Sequence, residues 1–244
     1  MKYFEMTKYI LLELFSGTGS VGKVFERHNF RVISIDISNK YMTPTFQTDI
    51  LTFDYKLLPT PDVIWASPPC NSFCTFAYNI AKSRNYFTLE PLKPIAFMGN
   101  RLLDKTMEII LHFVMKNPDL RFVIENPSRP AMMWRMPQMV GISKESTCYC
   151  LYGFPYKKPT DFFHNFPDGL GLIPREQHKK KCTLVKHICL KQPDVSLEQR
   201  YKIPEKLTET IVESFLEQDF YKSTIVHSSS RRQCTSKSCD IRHI

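Results

Sequence analysis

The stretch Ser67-Pro68-Pro69-Cys70 constrains this chain more than any other. It closes the apolar run Asp62-Val63-Ile64-Trp65-Ala66, which reads as a buried strand. Two consecutive prolines end that strand, because proline has no N–H for the ladder and restrains the residue before it. A cysteine is thereby held at a strand's carboxyl end, where open α/β sheets bind their ligands. About 50 residues earlier, the run Ile10 to Phe15 opens into Ser16-Gly17-Thr18-Gly19-Ser20. About 50 residues later, Phe122-Val123-Ile124 ends in Glu125-Asn126-Pro127. A glycine turn, a thiol and a carboxylate at three strand ends point to a nucleotide-type pocket with a nucleophile beside it.

The elements between these runs alternate. Strands are expected over 8–15, 30–37 and 62–66, with a short one ending at Thr48-Asp49-Ile50. Val21, Val24 and Phe25 recur at helical spacing, so a helix covers about 20–28. A functional loop with some helix fills 70–99, and an apolar stripe predicts a helix over 101–115 before the strand at 122–124. Two short strands are expected at 147–151 and 160–163, and a last helix opens at Ile203-Pro204-Glu205 and runs to about Leu216. Alternation of this kind implies a mostly parallel sheet with helices on both faces. The expected organisation is a catalytic domain over 1–163, a small basic recognition region over 164–200, a helix returning to that domain over 201–222, and a disordered basic tail over 223–244.

The net charge of +9 is local. Arg175 to Gln192 carries +5 and Ser223 to Ile244 carries +3, which leaves the rest nearly neutral. That placement fits contact with a polyanion, and Lys179, Lys180 and Lys181 are the expected phosphate contacts. No run is long and apolar enough for a membrane span, and the first residues lack the apolar core of a signal peptide. An intracellular protein with its eight cysteines reduced is expected.

Each strand end has a chemistry. The turn Phe15-Ser16-Gly17-Thr18-Gly19 brings backbone close to a ligand. Asp36 ends the second strand 17 residues after Gly19, close to the offset of an acid that holds ribose hydroxyls. Asp49 is placed to meet an adenine amino group. Cys70 is a candidate nucleophile, and Glu125 is the group that could polarise a pyrimidine for its attack.

This ordered set resembles the DNA (cytosine-5) methyltransferases. Phe15 to Gly19 resembles their first motif, Ile35-Asp36-Ile37-Ser38 and Thr48-Asp49-Ile50 their second and third. Ser67 to Cys70 resembles their Pro-Pro-Cys motif, and Pro118 to Asn126 their Pro-x-x-Phe-x-x-Glu-Asn motif. The resemblance covers residues 9–127 and continues more loosely through 152–160 and 201–207, like the compact methylases of phage and virus genomes. It implies a Rossmann-like S-adenosylmethionine-dependent methyltransferase fold. It places Phe15, Ser16, Gly17, Gly19, Asp36, Ile37, Asp49, Ile50 and Pro68 around S-adenosylmethionine. Cys70 would bond carbon 6 of a cytosine flipped out of double-stranded DNA. Glu125 would hold its ring nitrogen and amino group, with Pro69, Asn71 and Asn126 beside it. A monomer is expected.

Three departures qualify the resemblance. Thr147-Cys148-Tyr149-Cys150-Leu151 has no arginine where the family carries Gln-x-Arg-x-Arg, and Lys157 and Lys158 are the candidate substitutes. The family's Glu-Asn-Val is Glu-Asn-Pro here. The space left for target recognition is small, so specificity would be short, loose or supplied by a partner. Two other readings are an amino-methyltransferase and a catalytically inactive binding module. The first conflicts with Cys70, because such enzymes stack an aromatic ring at that position. The second conflicts with the presence of both Cys70 and Glu125. No metal is expected, since Cys182-x₆-Cys189, with His178 and His187 nearby, does not match paired zinc spacing.

Overall fold

The structure is a computed structural model that describes residues 9–74, 79, 81–128, 133–184, 186–188 and 195–234, the last twelve as backbone only. Its centre is a seven-stranded sheet. The strands are β1 (Tyr9–Leu14), β2 (Phe30–Asp36), β3 (Phe46–Gln47), β4 (Val63–Ala66), β5 (Arg121–Pro127), β6 (Ser143–Cys148) and β7 (Pro159–His164). Their order is β3-β2-β1-β4-β5-β7-β6. The first five run parallel, and β7 is antiparallel to both β5 and β6. The order reverses between β1 and β4, which places a crevice at the carboxyl ends of those strands.

Period-two alternation divides the core. Leu12, Leu14, Ile64, Ala66, Phe122 and Ile124 face one side and pack against Leu103, Ile109, Ile110 and Phe113 of α2 (Pro94–Lys116). Leu11, Val63, Trp65, Val123 and Phe162 face the other side. They meet Val24 and Phe25 of α1 (Gly22–Arg27) and Leu207, Ile211, Val212 and Phe215 of α5 (Glu205–Cys234). Both faces are covered, as the near-continuous apolar strands require.

Several boundaries differ from the sequence reading. Residues 48–50 are not a strand: β3 ends at Gln47, and the Asp49 side chain accepts from the Leu51 N–H at 2.9 Å, which turns the chain. Helix α2 begins at Pro94, where the missing proline N–H is harmless in a first turn. Residues 149–151 form a 3-10 turn after β6, ended by Gly153 at φ 88°. Phe166, Leu170 and Leu172 are buried in the core with α5, and Ser214 donates to the Leu170 carbonyl at 3.0 Å. The first part of the expected recognition region therefore belongs to the main domain. Two short helices follow, α3 (His178–Lys181) and α4 (Leu197–Tyr201). Helix α5 continues to Cys234, into the expected disordered tail. It contains no glycine or proline, and an established helix extends by one hydrogen bond per residue. Residues 235–244 lie outside the described ones.

Candidate active site

The carboxyl ends of β1, β2, β4 and β5 open into one cleft of about 520 Å³. Phe15, Ser16, Gly17, Asp36, Ile37, Asp49, Ile50 and Pro68 line it, as do Pro69, Cys70, Asn71, Glu125 and Lys158. Met98 and Leu102 of α2 and Tyr201 of α4 complete the walls.

The first end is built by backbone. Phe15 has φ 60°, unusual for a side chain with a Cβ, and Gly17 and Gly19 have φ 51° and 64°. The Gly17 N–H donates to Asp36 Oδ2 at 2.9 Å, and the Ser38 N–H donates to Oδ1 at 2.8 Å. The Asp36 carboxylate is thus fixed between the turn and β2. Gly19 is not in the cleft wall; a Cβ there would collide with the Met42 side chain. Glu13, inside β1, also reaches the cleft. Its Oε2 is buried with no hydrogen-bond partner, and burial pushes the carboxyl up from 4.5 to about 8. It is therefore a neutral acid near pH 7.

The Cys70 loop is held from three directions. Residues Cys70–Ser72 form a 3-10 turn. Asn126 Nδ2 donates to the Pro68 carbonyl at 3.1 Å. The buried Arg84 donates to the Ser72 carbonyl at 2.9 Å, to the Leu89 and Ala96 carbonyls at 2.7 and 3.0 Å, and to Asn100 Oδ1 at 2.6 Å. Its guanidinium lies 4.8 Å from the Phe73 ring centroid. Cys74 sits on the same turn, with its N–H donating to the Cys70 carbonyl at 3.0 Å. The Cys70 thiol donates to Cys74, and that bond holds its proton and pushes the thiol well above its usual range; burial and the Glu125 charge add to this. Lys158 opposes the rise.

At the second end, Glu125 Oε1 accepts from the Tyr149 hydroxyl at 2.9 Å and lies 3.8 Å from Lys158 Nζ. Lys158 Nζ also sits 4.6 Å from the Tyr149 ring centroid and donates to the Arg200 carbonyl at 3.3 Å. Burial, with the Glu125 charge beside it, raises the Tyr149 hydroxyl well above 10, so Tyr149 stays a donor. A tyrosine and a lysine thus flank the carboxylate where the sequence lacks an arginine strand.

Not every expected residue reaches the cleft. Asn126 is buried as a brace behind it, because its amide is turned to Pro68. Lys157 is exposed and does not line it, and Lys179, Lys180 and Lys181 lie exposed on α3, outside the cleft wall. Three contributors were not singled out from sequence. Glu13 carried a signal, as the lone charge in an apolar strand. Tyr149 occupies the run where arginine was sought. Arg84 carried none, since nothing in its neighbours marks it for burial.

The strand order, the inserted antiparallel β7 and the cleft over the strand ends define a Rossmann-like methyltransferase fold. No family model matches the chain. A protein of Frog virus 3 (isolate Goorha), named "Probable DNA (cytosine-5)-methyltransferase", is 30% identical over 172 residues, covering 68% of this chain and 73% of that protein. The chain belongs to the DNA (cytosine-5)-methyltransferase family. Among solved structures, the Dnmt2 methyltransferase of S. pombe aligns with TM-score 0.46 and 14% identity over 78% of this chain and 59% of that one. A DNMT2 mutant of Spodoptera frugiperda aligns with TM-score 0.39 and 13% identity over 64% of this chain and 49% of that one. The chain thus spans about half the length of these two structures.

Proposed function

We propose that this chain methylates carbon 5 of cytosine in double-stranded DNA by a covalent route through Cys70. The observation that carries the reading is that Cys70 and Glu125 line one cleft with the Phe15–Gly17 turn and Asp36. S-adenosylmethionine, bound at that turn, supplies the methyl group. The residues fit it: Asp36 is oriented by two backbone N–H groups, and Glu13 lines the same cleft.

The Cys70 thiol gives its proton to solvent, and its sulfur bonds carbon 6 of a cytosine extruded from the duplex as the π bond between carbons 5 and 6 breaks. Glu125, carrying a proton taken from solvent, gives it to ring nitrogen 3 and accepts from the amino group, so that the ring takes the electron pair as a neutral enamine; the proton returns to Glu125 when Cys70 leaves. Tyr149 and Lys158 keep that carboxyl in place. Carbon 5 then takes the methyl group. Loss of the carbon-5 proton to solvent restores the double bond and expels the Cys70 thiolate. The raised thiol pKa means that the free protein holds Cys70 largely protonated, so bound substrate must promote its ionisation. Lys158 is the cation placed to assist.

DNA carrying 5-fluorocytosine tests the route, because fluorine cannot leave carbon 5 as a proton does. The protein should form an adduct that survives denaturing electrophoresis, depends on S-adenosylmethionine and disappears in Cys70→Ala. Methylation of carbon 5 by Cys70→Ala would overturn the assignment.

A further inference from the structure

Away from the cleft, four metal-ligating side chains converge. Cys150 comes from the 3-10 turn after β6, His178 and Cys182 from α3 and its C-cap, and His187 from the segment that follows. Their ligand atoms all lie within 4.8 Å of one another. Cys150 Sγ is 3.2 Å from His178 Nε2, and Cys182 Sγ is 3.3 Å from His187 Nε2. The two imidazoles stack, with centroids 5.3 Å apart. Two sulfurs and two nitrogens around a tetrahedral zinc, at ~2.3 and ~2.0 Å, lie about 3.3–3.8 Å from each other. To meet that geometry the widest separations contract and the two close sulfur–nitrogen pairs lengthen slightly.

We propose that Cys150, His178, Cys182 and His187 form a structural zinc site. The paired spacing sought in sequence fails because one ligand is remote: the order is a single cysteine on the sheet side, then His-x₃-Cys-x₄-His. His178 and Cys182 are four residues apart and share one helix face. Cys189, considered earlier, lies outside the described residues and is not needed. Two thiolates and two imidazoles select zinc over the oxygen-seeking cations. Binding displaces two thiol protons and leaves the centre neutral overall.

A second, independent observation concerns what else holds this segment. Among the described residues, none between Leu172 and Val195 is a buried hydrophobic. The attachments are polar: Arg175 to the Ser128 hydroxyl at 3.1 Å, and the Ile188 N–H to the Pro155 carbonyl at 2.9 Å. A stretch without its own core needs a staple. Zinc would fasten α3, with Lys179, Lys180 and Lys181, to the turn that carries Tyr149, the partner of Glu125. The cluster is no part of the methyl-transfer cleft, so the site stands or falls apart from the proposed reaction.

The full chain, purified without chelator, should contain about one zinc by elemental mass spectrometry, falling at least tenfold in Cys182→Ser and in His187→Ala. Cys148→Ser should keep its zinc, although Cys148 Sγ lies 3.2 Å from Cys150 Sγ. Cobalt(II) in place of zinc should give the visible spectrum of a tetrahedral ion with thiolate charge-transfer bands. Trypsin should cut at Lys179 to Lys181 at least about tenfold faster once a chelator has removed the metal. Circular dichroism and S-adenosylmethionine binding of Cys182→Ser, measured together, distinguish loss of metal from loss of fold. Metal-free protein that stays metal-free with added zinc or cobalt, an octahedral cobalt spectrum, or a Cys150–Cys182 disulfide in freshly prepared protein would each overturn the proposal.

Discussion

Asn126 Nδ2 donates to the carbonyl of Pro68 at 3.1 Å, so β5 holds the loop that presents Cys70. Both residues stand where their strands end, and β4 and β5 are parallel neighbours. The bond fixes the thiol relative to the carboxylate one residue before Asn126.

Asn126→Ala leaves the Pro68 carbonyl without this donor. A loss of about 1–3 kcal/mol in urea unfolding is expected. The methyl-transfer rate at saturating donor should fall more than donor affinity. A variant with unchanged stability and rate would remove the bracing role.

Arg84 is a buried cation whose partners are carbonyls, an amide and the Met136 sulfur. Arg84→Met leaves several acceptors unpaired, and each costs about 1–3 kcal/mol. A total loss of at least about 3 kcal/mol is expected, and Arg84→Lys should not restore it, since lysine lacks the planar fork. Chemical denaturation reads both.

Glu13 gives a pH signature. Its carboxyl is raised in the folded state from 4.5 to about 8, so between those values the folded protein holds a proton that the unfolded chain has released. Stability from this group therefore declines as pH rises through that window and levels off above it, with a slope of up to about 1.4 kcal/mol per pH unit. In Glu13→Gln the decline should be absent. Unfolding curves at pH 5, 6.5 and 8 for both proteins measure it, and a constant difference between them would refute the assignment.

Cys74 raises the Cys70 thiol by accepting its proton in a hydrogen bond. Cys74→Ala should move the Cys70 pKa down and increase the thiolate present at pH 7. Alkylation of Cys70, followed peptide by peptide across pH, should speed up several-fold. An unchanged profile would show that burial and Glu125 alone set the value. Cys74 thus acts on Cys70 from four residues along the same turn.

Asp36→Ala removes the acceptor of the Gly17 and Ser38 N–H groups and the carboxylate proposed for the ribose. S-adenosylmethionine binding should weaken by about 1–3 kcal/mol in calorimetry. Tight binding by the variant would move the donor elsewhere in the cleft.

The strand ends were legible because their signals are local. Apolar runs, prolines and glycines announce where a parallel strand stops, and Cys70, Asp36 and Glu125 follow at once. The support was not legible. Arg84 finds its partners through loops and α2, up to 52 residues away, and the Tyr149 hydroxyl meets Glu125 only because β7 runs back beside β5. The four-ligand cluster was discounted for the same reason: Cys150 is 28 residues from His178 and fits no spacing rule. Phe166 to Leu172 was read as recognition loop because its apolar residues follow no helix or strand period, yet α5 buries them.

Helix α5 has a consequence for how the chain is made. Its Phe215 packs on the rings of Tyr9 and Phe30, Arg27 pairs with Glu205 and Glu209, and the Tyr9 hydroxyl donates to Asp219 across 210 residues of sequence. One face of the central strands is covered by this late element. During synthesis, β1, β2 and α1 leave the ribosome with that face bare and wait for most of the chain to follow. Loop closure over such separations is slow, and exposed apolar strands aggregate in the interval. The yield of folded protein is then sensitive to synthesis rate and chaperone supply as well as to the stability of the finished sheet.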